Sequence, residues 1–494
     1  MNLPSAPAAP TLSRRTLDLV PPALRPAVDP GDLRPRIIHF GLGAFHRAHQ
    51  ARYTEAAAAR SGEPWGTVVV APRSASTAAA LRSQDCLYSM TELRPEGTVT
   101  RVSGAIVDAL GMQPDAARID GLLASPDVSV VSLTITEKGY HRRPDTGALD
   151  TAAPGIAADL TACGTGVLST VIGRIATGLA ARMRSGGAPV SVVSCDNMAA
   201  NGAALGRVVR DFVEAAPWPD RQAVLDWMAL SVTFPSTIVD RIVPATTDAD
   251  LRAAQAALGV HDALPVVGEP YRQWVLEDSF AGPRPPWQLD GALFVPDVVP
   301  YQLIKLRMLN GCHSALAYAG AAAGCTTIAD TLATDWGERL VRALCTEIAP
   351  TLPAGGPAPA AYAEGLVQRF RNPGVRHLLR QIGSDGSLKI PERWLDALRA
   401  LRAASAATPV LELALAAWAN ATRPDGDGGQ LFGTTDPAAP ALHRCWHDGT
   451  DSKRQDTIRR LLLVLGATDL AEDAALTSAV AARLPALRAG RIEV

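Results

Sequence analysis

A doubly wound α/β sheet domain followed by a mostly α-helical domain is the fold class this sequence predicts, on three observations. Short β-rich runs alternate with helical stretches through the first part of the chain, and the first of these runs stops at Gly41-Leu42-Gly43. Strand signals then fade after about residue 296. A chain of 494 residues exceeds one ordinary core, so the expected domains are 1–295 and 296–494. Residues 1–30 carry prolines and arginines without a continuous apolar stretch. They read as a surface lead-in, not a signal peptide.

The elements follow in order. Arg36-Ile37-Ile38-His39-Phe40 is a strand-like run, and His46 to Arg60 has helical composition and ends before Gly62. Further strands are expected at Thr67–Val70, Val128–Thr136 and Val190–Ser194. Alternation of this kind implies a parallel sheet covered on both faces. Beyond it, the segments 301–323, 336–349, 360–371, 374–383, 393–404, 409–421 and 454–465 are Leu/Ala/Arg-rich and helical in pattern.

Composition narrows the function. Lys+Arg total 47 against 49 Asp+Glu, which gives no electrostatic basis for binding nucleic acid or an anionic membrane. Every apolar run is interrupted before it reaches membrane-spanning length. Seven scattered cysteines form no CxxC pair, and an odd count argues against a disulfide framework, so a reducing cytoplasm is expected.

The turn Gly41-Leu42-Gly43-Ala44-Phe45-His46 sits between a strand and a helix, the setting in which a glycine fingerprint holds a dinucleotide. The first glycine permits a tight turn, and the second lets backbone approach a pyrophosphate at a helix N-terminus. His46 stands where a third glycine is usual, and a plain tight turn remains the other reading. A carboxylate closing the second strand would favour NAD, but here Ala71-Pro72-Arg73-Ser74 follows. Arg73 and Ser74 can accept a 2′-phosphate, so NADP is permitted; an exposed loop arginine is the alternative.

The segment Pro300–Ser314 concentrates polar groups on an expected helix. At 100° per residue, His313 lies about 80° from Lys305 and Asn310 about 140°. A lysine among apolar neighbours should lose proton affinity, as a general base for alcohol oxidation requires, and amide NH2 groups suit a developing alkoxide. A helix whose cations reach to water is the bland alternative. Asn197 follows the Val190–Ser194 strand, where ligand crevices form, although Asp196 and Asn197 also suit a helix cap. No metal site is visible: HExxH is absent, and the pair His46/His49 lacks a third ligand nearby in sequence.

These segments together resemble the long-chain mannitol dehydrogenase family of polyol and sugar-acid dehydrogenases. The matching stretches are GLGAFHRAHQARYTEA (41–56), SLTITEKGY (132–140), SCDNMAANG (194–202), FPSTIVDRIVP (234–244), GEPYRQWVLEDSF (268–280), KLRMLNGCHSALAY (305–318) and SDGSLKIP (384–391). The resemblance implies a Rossmann-type domain followed by a helical one, with hydride transfer to NAD and no metal. It implies Lys305 as general acid/base, Asn197 and Asn310 as the oxyanion-stabilising pair, and His313 on the substrate hydroxyls. It further implies Asp240 and Lys389 at the substrate, and Gly41, Gly43, Ala44, Phe45 and Val239 at the cofactor.

Two positions depart from the mannitol dehydrogenase pattern. Gln381, beside Arg380, stands where those enzymes place a substrate-site arginine, and Gln302 stands where many carry a glutamate thought to aid proton exit. Lys138, Arg272 and Arg307 are cations where polyol enzymes often have uncharged residues. They point to the sugar-acid (fructuronate reductase) branch, which interconverts D-fructuronate and D-mannonate, because a carboxylate wants a cationic partner. Structural salt bridges are the other use for such residues. The alternatives are a mannitol, arabinitol or sorbitol dehydrogenase and, more distantly, a non-catalytic dinucleotide-binding regulator. The expected partner is a small sugar acid or polyol, and the expected state a monomer or homodimer.

Overall fold

The computed structural model describes residues 9–163, 166–427, 429–447 and 453–494. The chain forms two compact units, Met1–Val298 and Val299–Val494.

The first unit is built on six parallel strands: β1 (Arg34–Phe40), β2 (Trp65–Ala71), β3 (Ile106–Gly111), β4 (Val130–Leu133), β5 (Val190–Ser194) and β6 (Val232–Thr233). They lie in the order β3-β2-β1-β4-β5-β6. The order reverses between β1 and β4, the switch point at which doubly wound sheets bind ligands. Alternate side chains serve opposite faces. Ile38, Phe40, Val131 and Val192 join one core with Ile172, Ile175 and Val208 of two covering helices. Ile37, Val130 and Val193 face the other way, against Tyr53 and Ala57. Burial on both faces explains why these strands read as mainly apolar runs, in which His39, Ser132, Ser191 and Ser194 are buried polar exceptions.

Three local differences from the sequence reading have physical reasons. The run Val128–Thr136 is strand only over Val130–Leu133, because Thr134–Thr136 turns away at the strand end and Thr136 takes a left-handed φ of 66°. The first helix breaks into α1 (Ala44–Ala48) and α2 (Gln50–Ser61) at His49, whose ring reaches the Gln273 carbonyl at 2.8 Å. Between β2 and β3 the chain inserts an antiparallel hairpin, Tyr88–Arg94 with Gly97–Ser103, which is absent from the expected strands. Its signal was Pro95-Glu96-Gly97 between two alternating runs.

The second unit is helical around one core, with the buried helix Gly311–Ala322 packed against Gly337–Ile348 and Pro409–Ala421. In the expected helix 374–383 only Leu379–Gly383 is helical. The residues before it bond across to Thr326–Ile328, with Ile328 N donating to the His377 carbonyl at 3.1 Å, so their backbone groups are already paired. No helix among the described residues is long and apolar enough to cross a membrane.

Candidate functional site

The switch point opens a cavity of about 550 Å³, a size suited to a small-molecule ligand. Gly41, Gly43, Arg73, Ser74, Thr134, Thr136 and Lys138 are among its lining residues, and no carboxylate is. Gly41 has φ +127°, and a Cβ there would stand 2.4 Å from the Thr134 carbonyl oxygen. Only glycine makes that turn. Gly43 differs: its φ is −85°, and its Cβ would meet nothing nearer than Phe45 N at 4.0 Å. Neither the fold nor its packing demands glycine at 43. The bare backbone there leaves room for a group arriving from the cavity, which is how a dinucleotide phosphate is received. The residues present therefore fit a dinucleotide. Ala44, Phe45 and Val239 do not line this cavity, whereas Lys138, expected at the substrate, does.

Behind the turn, His39 and His46 stack at 3.5 Å, and Phe45 stacks on His49 at 5.0 Å. Burial drives all three imidazoles toward the neutral form, His46 and His49 to about 3. The unfolded chain binds these protons as pH falls below about 6.5, and the native chain resists until about pH 3, so stability present above 6.5 is lost on acidification. The thermal midpoint is expected to drop between pH 7 and pH 5, with a shallower drop in His46→Gln; a wild-type slope in that variant would contradict the assignment.

Asp196 bridges two strand ends. It accepts from Ile135 N at 3.2 Å, Thr136 N at 2.8 Å and the Tyr140 hydroxyl at 2.9 Å, holding the strained Thr136 at the cavity edge. Burial raises its pKa, against those three hydrogen bonds. It does not cap the next helix, whose N-cap is Ala200, with no side-chain bond. Asn197 is exposed on this loop. Asn201 fixes the loop by donating to the carbonyls of Asp196 and Thr237, both at 2.9 Å. Val239 and Asp240 are buried in the strand Thr237–Asp240. Arg272 is committed elsewhere: it pairs with Asp290 at 2.5 Å and lies 4.4 Å over the Tyr53 ring.

In the second unit Lys305 is buried, 9% exposed. The helix Val299–Ile304 passes into a π-helical turn, Lys305–Asn310, before Gly311–Ala322 resumes α geometry. This corrects the regular helix expected from sequence. Hydrogen bonding from i to i+5 sets residues five apart closer to one turn from each other than the offset of about 140° that an α-helix gives Lys305 and Asn310. Such turns concentrate at functional sites. A second π-helical turn, Pro391–Leu395, locks the first. Its Arg393 donates to the Asn310 carbonyl at 3.2 Å and the Ser314 hydroxyl at 2.7 Å, and Trp394 donates to the Gly311 carbonyl at 3.2 Å. Sequence reasoning missed Arg393. Pro391 inside a helical pattern was the available signal.

The remaining candidates are distributed around this core. His313 packs on Phe370 at 4.4 Å, and its Nε2 is buried without a hydrogen-bond partner. Burial and the neighbouring His377, Arg369 and Arg393 hold it far toward the neutral form. Lys389 donates to the carbonyls of Ser384 at 2.6 Å and Ile382 at 3.3 Å, and burial lowers its pKa. Arg307 donates to the Thr351 carbonyl at 2.6 Å. Arg380 is exposed. Among the described residues no group of three or more His, Cys, Asp or Glu could hold a metal ion.

Family models for the mannitol dehydrogenase Rossmann domain and the mannitol dehydrogenase C-terminal domain match residues 35–289 and 297–488. The chain belongs to the mannitol dehydrogenase family. D-mannonate oxidoreductase of Escherichia coli (strain K12) is 38% identical over 93% of this chain and 95% of its own length. Mannitol 2-dehydrogenase of Pyrenophora tritici-repentis (strain Pt-1C-BFP) is 37% identical over 82% of this chain and 72% of its own length. The solved Pseudomonas fluorescens mannitol 2-dehydrogenase, a ternary complex with NAD and D-mannitol, is 33% identical with a TM-score of 0.77, covering 97% of each chain. As a member of this family the chain is an oxidoreductase acting on polyol or sugar-acid alcohols. The acid and polyol relatives stand at similar identity, so kinship does not choose between the two substrates.

Proposed function

We propose that this chain interconverts D-mannonate and D-fructuronate with a nicotinamide cofactor, NAD in the first instance, using Lys305 as the acid/base. The observation that carries the reading is the buried lysine that opens a π-helical turn ending at Asn310. When bound, the dinucleotide supplies a two-electron hydride acceptor. Gly41 and Gly43 would receive its phosphates, with Lys138 lining the same cavity. Lys305 Nζ takes the hydroxyl proton as the carbinol C–H is oxidised, and returns it in the reverse reaction. The amides of Asn310 and Asn197 donate to the oxygen as charge builds on it. Asp240, His313 and Lys389 are assigned to the substrate hydroxyls. Gln302 replaces a carboxylate before the lysine and cannot carry the proton onward as an anion.

NAD rests on the Pseudomonas fluorescens complex. The lack of a cavity carboxylate, with Arg73 and Ser74 after β2, supports acceptance of NADP as well. Initial rates on D-mannonate, D-mannitol and D-sorbitol with each cofactor test the proposal. D-mannonate should be preferred, and Arg73→Ala should weaken NADP use more than NAD use. A clear preference for mannitol ends the sugar-acid reading.

A further inference from the structure

A sugar acid brings a carboxylate, and the cations singled out by sequence are poorly placed to meet it. Arg272 is bound to Asp290, Arg307 to a backbone carbonyl, Lys138 lines the dinucleotide cavity and Arg380 is exposed. Another set of N–H donors stands beside the π-helical turn. His377 meets His313 edge-on, with ring centroids 5.4 Å apart, and Arg393 is anchored to Asn310 and Ser314, the residue after His313. We infer that Arg393 and His377 form the subsite that receives the substrate carboxylate.

Both bonds of Arg393 are made by Nη1. A guanidinium has five N–H donors in a planar fork, so the Nε and Nη2 edge remains to take a carboxylate in two parallel bonds. Besides burial, the groups that hold His313 toward the neutral form are His377, Arg369 and Arg393; burial also brings His377 down to about 4, so near neutral pH it stands as an uncharged N–H donor beside the arginines. The buried His313 Nε2 without a partner marks an unfilled polar position in the same cluster. Lys389, four residues before Arg393, gives two of its three N–H donors to the Ser384 and Ile382 carbonyls, leaving one for a substrate hydroxyl. Burial lowers the Arg393 pKa, and an arriving carboxylate offsets that desolvation where a neutral polyol brings no charge.

The subsite rests on the sugar-acid reading of the function, and the test separates the two. The kcat/KM values for D-mannonate and its neutral isostere D-mannonamide are compared in wild type, His377→Asn and Arg393→Lys. The wild type should favour the acid, and each variant should reduce the acid-to-amide ratio about 10- to 100-fold, mainly through KM for the acid. Equal losses on both compounds would mean a structural role, and an unchanged ratio would mean no role; either overturns the subsite while leaving a mannonate-active enzyme. A wild type that ignores D-mannonate but oxidises D-mannitol overturns the sugar-acid reading and the subsite together.

Discussion

Replacing Lys305 with alanine is expected to lower kcat by about 10²- to 10⁴-fold, the range that positioned acid/base groups contribute, while cofactor affinity changes little. The separation follows from the architecture. Gly41, Gly43 and the cavity they line belong to the unit Met1–Val298, whereas Lys305 belongs to Val299–Val494. The loss should fall on the chemical step, because a lysine that only packed its stem against Leu306 and Leu309 would be replaced with a stability defect and no specific loss of turnover. Stopped-flow measurement of nicotinamide reduction beside an equilibrium titration of reduced cofactor separates the two. Full turnover in Lys305→Ala would refute the role.

Substituting Gly43 with valine is expected to abolish cofactor binding in a chain that still folds. The position has ordinary φ, and a β-carbon placed there would meet no atom beyond its chain neighbours closer than 4.0 Å, so the new side chain fits without a clash and takes space beside the cavity that Gly43 lines. Gly41→Ala should behave differently, because its Cβ would be driven against the Thr134 carbonyl from a left-handed backbone. That variant should lose thermal stability as well as binding. Fluorescence titration with reduced cofactor, paired with thermal unfolding, checks both. A Gly43→Val chain with unchanged affinity would remove the phosphate-receiving assignment of the turn.

The parts of this molecule legible in sequence share a physical cause. The bounds of Val190–Ser194 and the centres of β1 and β2 can be read directly, because a strand buried on both faces is rich in valine and isoleucine and tolerates only small or hydrogen-bonded polar residues. The hairpin Tyr88–Arg94/Gly97–Ser103 escapes such reading because it mixes Ser, Thr, Glu and Arg with its apolar residues. Helix composition survives in Gly337–Ile348 and Pro409–Ala421, but not the break at His49, which is made by a contact with Gln273 far along the chain. Lys305, Asn310 and His313 are recognisable by residue type and family resemblance. Their arrangement is not, since no side-chain preference announces a π-helical turn, and the groups that hold it, Arg393 and Trp394, lie more than eighty residues away. Charge counting by position likewise points to Arg272 and Arg307, whose partners Asp290 and the Thr351 carbonyl only folding reveals.

Chemical rescue of Lys305→Ala is the sharpest test of proton transfer at that position. Added primary amines of increasing basicity should restore part of the turnover on the preferred alcohol, in saturable fashion and in step with their proton affinity. Restoration absent across the series, in a folded variant that still binds cofactor and substrate, would contradict an amine as the proton acceptor.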